Sequence, residues 1–463
     1  MNQPMANPGR EVAPSFFSDL IDTLTERGRA LLGRLDRSAI PQVDLTALGE
    51  LLLSRRGEAS GVALAQALIA SYKAASEKER LTFLRSLAER FGPDRARVEA
   101  AIEAFHDGTD PDAISLLHTA AEPRRQELFR RLNLASGGTS ALIRMREELL
   151  SHLRSHPELR AVDADFTHLF SSWFNRGFLV LRRIDWSTPA VILEKIIRYE
   201  AVHEIQNWDD LRNRLAPEDR RCYGFFHPQL VDEPLIFVEV ALTEDIPGSV
   251  APLLDLERTP IPASAATTAV FYSISNTQQG LGGVSFGNFL IKQVVENLKS
   301  ELPNLKTFVT LSPVPGFAGW LARERESESS IILSEGPDAE ALALLDEPGW
   351  HQDPAKTERI RTVLLTLAAH YFLKAKTSYG RPADPVARFH LGNGARLERL
   401  NFLGDVSPKG LRQAHSLMVN YLYALDEIEA NHEAYAEKGA VAASSAVRKL
   451  MRSGLTSKER VKS

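Results

Sequence analysis

Apolar positions in the first part of the chain recur at helical spacing, up to about Asn175. The clearest segment is SEKERLTFLRSLAERFGP, in which Ser76 and Glu79 form a capping-box signature and Gly92-Pro93 ends the helix. The pattern predicts an all-helical domain over residues 1–175. Because this part lacks paired carboxylates and ligand-spaced histidines, we expect it to pack, dock or oligomerise rather than to catalyse.

Beyond residue 176 the apolar positions form short β-branched runs, which are typical of strands. The predicted strands lie in GFLVLRRI, LIFVEVALT, AVFYSIS and TFVTLS, and the predicted helices between them lie in AVILEKIIRYEAVHEI and GNFLIKQVVENLKSEL. Residues 176–463 should therefore form a mixed α/β domain, with a helical insertion near residues 337–376. In the succession from Ala269 to Leu321 two strands are joined by a helix, so they should be parallel and bind ligands at their carboxyl ends.

A glycine-rich loop, NTQQGLGGVSF, follows the first of these two strands. Small residues let backbone amides approach an anion, and the start of the next helix adds free N–H groups. The loop therefore predicts a phosphate or pyrophosphate cradle, although a tight turn without a ligand explains the glycines equally well. The residues that we assign to the cradle are Gln278, Gln279, Gly280, Gly282, Gly283 and Gly287.

Composition and charge restrict the class of protein. A chain of 463 residues is too long for one ordinary core, and its net charge of -5 provides no general attraction to nucleic acid or to an anionic membrane. The one cysteine, Cys222, excludes an intramolecular disulfide, and His152 and His156 lack a third metal ligand, so no metal site is expected. With no signal-peptide core and no apolar run long enough for a membrane span, we expect a cytoplasmic protein.

Two segments carry candidate chemistry. In TLSPVPGFAGWL a strand ends at Ser312, and Pro313 and Pro315 hold the backbone extended, so that the hydroxyl can meet a ligand. In DPVARFHLGNGARLERLN, His390 is bounded by the turn markers Asp384-Pro385 and Asn393-Gly394, where functional groups collect.

Two other segments also contain candidate functional residues. GVSFG matches the nucleophile elbow of α/β-hydrolases, with Ser285 as nucleophile, but its strand should end near Ser275, well before the elbow. The segment SPKGLRQAHSLMVNYLYALDEIEA is interpreted as a helix that places Tyr421 and Tyr423 on different faces, one in the core and one able to reach a pocket.

Several long motifs in this order resemble one family. FYSISNTQQGL, FLIKQVV, LSPVPGF, DPVARFHLGNGA, and GDVS with NYLY together resemble the malonyl-CoA decarboxylases. The resemblance implies a catalytic domain of the GNAT-like acyltransferase fold, in which two parallel strands splay apart to admit the pantetheine arm and the glycine-rich loop holds the pyrophosphate. It also implies that Ser312 and His390 are the essential pair and that Tyr423 supports them. Animal relatives carry glutamate where this chain has Ser285, so the role of that position here stays open.

The implied reaction converts malonyl-CoA to acetyl-CoA and carbon dioxide with no cofactor, because coenzyme A is part of the substrate. We expect Ser312 to position the malonyl group and His390 to stabilise the enolate and to deliver or relay a proton, although these roles can be exchanged. The alternatives are an acyl-CoA-dependent acyltransferase of the same fold, a non-catalytic coenzyme-A-binding scaffold, and the hydrolase. A homo-oligomer, dimer or tetramer, is expected through the helical domain.

Overall fold

The structure of the protein is a computed structural model that describes residues 44–54, 57–107, 112–284, 290–327, 336–378 and 380–452. The chain folds as two compact units. The first contains the chain up to Phe178 together with Pro228–Val231 and Gln278–Ser285. The second contains Leu179–His227, Asp232–Thr277 and the chain from Phe286 onward.

The first unit is helical, as predicted. Ser76 starts the helix Glu77–Glu89 with the predicted capping box, in which Oε2 of Glu79 accepts a hydrogen bond of 2.8 Å from the Ser76 backbone N–H. Its core contains the rings of Phe129 and Phe166, which stack with their centroids 4.0 Å apart. The helices are α1 (Leu45–Leu53), α2 (Glu58–Ala74), α3 (Glu77–Glu89), α4 (Arg95–Asp107), α5 (Ala113–Ala121), α6 (Arg124–Asn133), α7 (Gly138–His152) and α8 (Arg160–Trp173).

The second unit is built on a mixed sheet, which confirms the predicted α/β class. Its strands are β1 (Val180–Ile184), β2 (Arg220–Phe226), β3 (Pro234–Thr243), β4 (Thr268–Asn276), β5 (Thr307–Thr310), β6 (Ser312–Pro313), β7 (Arg396–Asn401) and β8 (Met418–Leu422). They are arranged in the order β1-β2-β3-β4-β5-β8-β6, and β7 also pairs with β8.

The parallel pair that the sequence predicts is β4 and β5. Their pairing joins Thr268–Phe271 to Thr307–Thr310, whereas β4 continues to Asn276. The carboxyl half of β4 therefore extends past the end of its parallel partner.

Helices cover this sheet. They are α9 (Ala190–Tyr199), α10 (Trp208–Leu215), α11 (Ala251–Leu254), α12 (Leu290–Glu301), α13 (Phe317–Glu326), α14 (Pro337–Ala343), α15 (Pro354–Leu373), α16 (Pro385–Gly392), α17 (Pro408–Ala414), α18 (Ile428–Lys438) and α19 (Ser445–Arg452). The helices α14 and α15 lie within residues 337–376, whose role as an insertion stays a prediction. Among the described helices, none combines the length and the apolar character that crossing a bilayer requires.

The segment interpreted as one helix near the carboxyl end is a helix followed by a strand, so that prediction is wrong. Helix α17 ends at Ala414 because His415 and Ser416 adopt φ values of +46° and +69°, which a helix cannot continue. The chain then forms β8, which pairs antiparallel with β7 and contacts β5 and β6. The strand β2 was also missed.

A buried carboxyl lies on the sheet face under α10. Glu239 on β3 is completely buried, and its Oε2 accepts a hydrogen bond of 3.1 Å from Nη1 of Arg214. Burial raises the pKa of Glu239 to about 8, and the nearby Glu200 carboxylate adds to this effect. Because the charged form is costly there, the folded chain holds a proton that the unfolded chain releases.

This proton predicts how stability depends on pH. The ordinary pKa of Glu239 is 4.5 and the folded value is about 8, so its contribution to the unfolding free energy falls as pH rises through this window. Glu239→Gln keeps an acceptor for Arg214 but does not titrate. We therefore expect urea unfolding to show the variant gaining stability relative to the wild type from about pH 5 to about pH 8, above which the gain levels off. A difference that stays constant over this range would contradict the assignment.

Candidate active site

Ser312 is buried at the start of β6, two residues after the end of β5. It is 5% exposed, and its backbone pairs with Val419 of β8. Its Oγ donates a hydrogen bond of 2.9 Å to Oγ1 of Thr310 and lies 3.1 Å from Nε2 of His390. The strand-end serine and the histidine 78 residues later are thus in direct contact.

His390 lies on a helix, and the turn markers on either side of it in the sequence are the two ends of that helix. Asp384 is the N-cap of α16, where its Oδ1 accepts a hydrogen bond of 2.8 Å from the Ala387 backbone N–H, and Pro385 is the first helical residue. Asn393 follows the last residue of α16, and Gly394 has a φ of +79°. The imidazole is 3% exposed, so the helix directs it into the protein.

Tyr421 and Tyr423 both contact the imidazole of His390, in contrast to the expected split between two faces. The Tyr421 ring stacks on the imidazole at a centroid distance of 4.6 Å and an angle of 24°. The Tyr423 hydroxyl lies 2.8 Å from Nδ1 of His390. In extended backbone, side chains two residues apart point to the same side, which explains why the helical interpretation separated them wrongly.

Thr310 completes the hydrogen-bond network and was missed in the sequence. Its Oγ1 accepts from the Ser312 hydroxyl at 2.9 Å and from the Tyr421 backbone N–H at 3.1 Å. Strand alternation was the available signal, because Thr310 and Ser312 are two residues apart.

This network assigns the tautomer of His390. Because the Ser312 hydrogen goes to Thr310, the Ser312 oxygen is left to accept from an N–H at Nε2. Nδ1 then carries the lone pair that accepts from the Tyr423 hydroxyl.

Burial controls the charge of the site. It lowers the pKa of His390 to about 3, because the enclosed imidazolium would lose its hydration. Burial also raises the pKa of the Tyr423 hydroxyl well above its ordinary value. All these side chains are therefore neutral near pH 7, and the site offers hydrogen-bond donors and a transferable proton rather than a fixed charge. In the described part of the chain, no three His, Cys, Asp or Glu side chains are grouped to hold a metal ion.

The glycine-rich loop belongs to the first unit, where it packs on α7. A 3₁₀ turn covers Gln279–Leu281, and Gln278 precedes it. Nη1 of Arg146 donates a hydrogen bond of 2.8 Å to the Gly280 carbonyl. A Cβ at Gly280 would lie 2.0 Å from the backbone oxygen of Ile143, so this glycine is required by close packing.

The other residues assigned to the loop differ in their surroundings. Gly283 has a φ of +78°, a region that disfavours other residues, whereas Gly282 is exposed with φ of -53°. Gly287, assigned to the cradle, and Ser285, the candidate of the hydrolase hypothesis, both lie outside the described residues.

Two family models match the chain. The model of the malonyl-CoA decarboxylase C-terminal domain matches residues 177–461, and that of the malonyl-CoA decarboxylase N-terminal domain matches residues 91–174. Together they span the site and the helices α4 to α8 of the first unit.

Characterised relatives and solved structures agree with these models. The mitochondrial malonyl-CoA decarboxylase of Mus musculus is 35% identical over 451 residues, which are 88% of this chain and 90% of the relative. That of Anser anser anser is 36% identical over 387 residues, 77% of this chain and 76% of the relative. The crystal structure of malonyl-CoA decarboxylase from Rhodopseudomonas palustris is 68% identical and covers 89% of this chain and all of its own, with a TM-score of 0.86.

The packing of Gly280 generates a stability prediction. Gly280→Ala should lower the melting temperature by several degrees, because its methyl group overlaps the Ile143 carbonyl and the loop must move. Gly282→Ala is the matched control, since its Cβ would meet only the Gln279 carbonyl at 3.1 Å in an exposed position. Thermal unfolding of both variants checks this, and equal melting temperatures would contradict the packing role.

Proposed function

The chain belongs to the malonyl-CoA decarboxylase family, and from this premise we propose that Ser312, His390 and Tyr423 carry out the conversion of malonyl-CoA to acetyl-CoA and carbon dioxide. The observation that carries the proposal is the continuous hydrogen-bond series Tyr423–His390–Ser312, which joins three separate sequence motifs at one buried point. The enzyme is a carboxy-lyase, and the residues and steps below are our proposal.

Decarboxylation needs an electron sink and a proton. When the malonyl carboxylate leaves as carbon dioxide, its bonding electrons pass into the thioester carbonyl and form an enolate. Donors aimed at that oxygen lower the barrier most when they are preorganised in a water-poor site. The thioester itself is the sink, so the proposed chemistry uses coenzyme A only as part of the substrate.

Ser312 is proposed as the positioning donor. Once substrate is bound, its hydroxyl turns from Thr310 towards the malonyl group and holds the carboxylate out of the carbonyl plane, where the breaking bond overlaps the π system. Its oxygen is not activated as a nucleophile, because Nε2 of the neutral His390 is a donor to it rather than a base. No acyl-enzyme is therefore expected.

His390 is proposed as the proton donor to carbon. The new carbanion takes the proton from Nε2 while Nδ1 accepts the proton of the Tyr423 hydroxyl. After acetyl-CoA leaves, solvent returns a proton to Nε2 and Nδ1 returns its proton to the tyrosinate, which restores the starting tautomer. The sum is one proton consumed, one carbon dioxide released and an unchanged enzyme. A neutral imidazole suffices because a thioester enolate is a far stronger base than a tyrosinate, so the low pKa of His390 does not prevent the step.

The glycine-rich loop is proposed to bind the pyrophosphate of coenzyme A. Backbone amides beside small residues supply donors for an anion, which the net negative charge of the chain does not. The loop should therefore govern affinity, whereas the buried trio governs turnover.

A homo-oligomer formed through the helical unit is also proposed. Four large apolar side chains on α4 and α5 are 40% or more exposed: Ile102, Phe105, Ile114 and Leu116. Exposed apolar side chains on two neighbouring helices are typical of a surface that another chain covers. A cytoplasmic location stays a prediction.

Loss of either catalytic side chain should abolish most turnover. Ser312→Ala and His390→Ala should each reduce the formation of acetyl-CoA from malonyl-CoA by about 100-fold or more, on the order of 3 kcal/mol of transition-state stabilisation. The matched control is His432→Gln, since His432 is a partly buried histidine that contacts the Gly392 carbonyl outside the trio. Normal turnover by Ser312→Ala would refute the assignment. A wild type that binds coenzyme A but releases no acetyl-CoA would favour the acyltransferase or scaffold alternative.

A bulky residue in the loop should weaken binding instead. Gly282→Val should raise KM for malonyl-CoA by about tenfold and change kcat by less than about threefold, because Gly282 is exposed and is not part of the buried trio. Steady-state kinetics on the folded variant checks this. An equal loss in kcat with an unchanged KM would separate the loop from substrate binding.

A further inference from the structure

Asp384 is a buried carboxyl group for which the proposed chemistry has no use. It is 1% exposed and immediately precedes α16, the helix that carries His390. Its Oδ1 accepts the Ala387 backbone N–H at 2.8 Å, which fixes the first turn of this helix. One carboxylate oxygen thus accepts a hydrogen bond from α16, the helix that carries His390.

The other oxygen faces the segment that carries Ser312. The Tyr371 hydroxyl of α15 donates to Oδ2 of Asp384 at 3.5 Å. This hydroxyl fills the space beside Gly316, where a Cβ would lie 2.5 Å from it and 3.8 Å from Oδ2. The Gly316 backbone N–H also faces the carboxylate, because it opposes the rise that burial causes in the pKa of Asp384. Gly316 is four residues after Ser312 and joins LSPVP to α13.

We propose that Asp384 is a positioning residue that holds the Ser312 segment and the His390 helix in register, and so sets the 3.1 Å contact between Ser312 Oγ and His390 Nε2. The inference rests on the proposed function, because it assigns a reason for the geometry of that site. Asp384 touches neither reacting side chain in this role and acts through Gly316 and Ala387.

The chemistry of the junction explains why a carboxylate is required. Every group that faces it from the Ser312 segment, from α15 and from the first turn of α16 is a donor, so the residue must accept on both oxygens. Asparagine would turn an NH₂ group towards one of these donors. Serine would still cap α16 but is too short to reach Tyr371 and Gly316 as well.

The same junction links activity to pH. Burial raises the pKa of Asp384 to about 6, although the Arg388 guanidinium and the backbone N–H groups oppose this shift. The other titratable groups that face it are the hydroxyls of Tyr371 on α15 and of Tyr421 on β8, which stay protonated because burial raises the pKa of each. As pH falls through about 6, Asp384 gains a proton and one oxygen ceases to be a free acceptor.

The direction of the pH effect follows from these values. Because the ionised carboxylate holds both segments, kcat should fall as the pH is lowered through about 6. His390 is already neutral throughout this range, since its pKa is about 3, so it cannot produce this loss. We therefore assign the expected fall of kcat at acid pH, the acid limb of the kcat profile, to Asp384.

The test compares Asp384→Asn and Asp384→Ser with the wild type, using malonyl-CoA turnover between about pH 5 and about pH 8. Both variants should lose kcat by about 10- to 100-fold, the scale of a misplacement of about 1 Å, with KM changed by less than about threefold. In Asp384→Asn the acid limb near pH 6 should disappear. Ser407→Ala is the matched control: it removes a side-chain cap from α17 in the same unit and should keep the kcat and the pH profile of the wild type.

Two results would overturn the inference: kcat of Asp384→Asn close to that of the wild type, or a reduced kcat that retains the same acid limb. If the Asp384 variants do not fold, Tyr371→Phe decides, because it removes the donor to Oδ2 and leaves the cap of α16 intact. Its kcat should fall by about fivefold with KM unchanged, and an unchanged kcat would refute the proposal.

Failure of this inference is distinct from failure of the proposed function. Ser312→Ala is run in the same series. If it loses turnover while the Asp384 variants do not, only the positioning role of Asp384 is wrong. If the wild type makes no acetyl-CoA, or if Ser312→Ala is fully active, the proposed function is wrong.

Discussion

Burial of the His390 imidazole is the constraint on which the active site depends. The imidazole is 3% exposed and stacks on Tyr421. Burial destabilises its charged form and lowers its pKa to about 3. The neutral ring must then have one N–H and one lone pair, and each needs a partner because both nitrogens are enclosed. Ser312 and Tyr423 supply these two partners, so their positions follow from the burial of one side chain.

A neutral network suits the loss of carbon dioxide from a malonyl thioester. A permanent cation beside the substrate would also stabilise the malonate carboxylate, the charge that the reaction removes, and would favour the ground state. Neutral donors respond instead to the enolate as its charge develops, and in the proposed mechanism a relay from Tyr423 through His390 supplies the proton. Asp384, the ionisable group proposed to order this network, does not touch the reacting atoms and acts through the backbone segments that carry Ser312 and His390.

Local signals in the sequence predicted the helical part, the strands β1, β3, β4 and β5, and the two segments that carry Ser312 and His390. They could not show that these two residues, 78 positions apart, are in contact, because long-range pairing has no local pattern. The tyrosine pair was misinterpreted because apolar spacing continued across His415 and Ser416, whose positive φ values end the helix. Strand alternation could have identified Thr310, which is two residues from Ser312. Asp384 has the sequence pattern of an ordinary turn residue, and only the fold shows that its second oxygen faces Tyr371.

The charge state of His390 tests this account most directly. In protein labelled with ¹⁵N in histidine, the two ring nitrogens of His390, assigned by comparison with His390→Ala, report protonation and tautomer without any assay of turnover. The account predicts one protonated nitrogen, Nε2, and one bare nitrogen, Nδ1, unchanged from about pH 5 to about pH 8. An imidazolium signal that titrates near the ordinary value of 6.5, or a proton on Nδ1 instead, would contradict it.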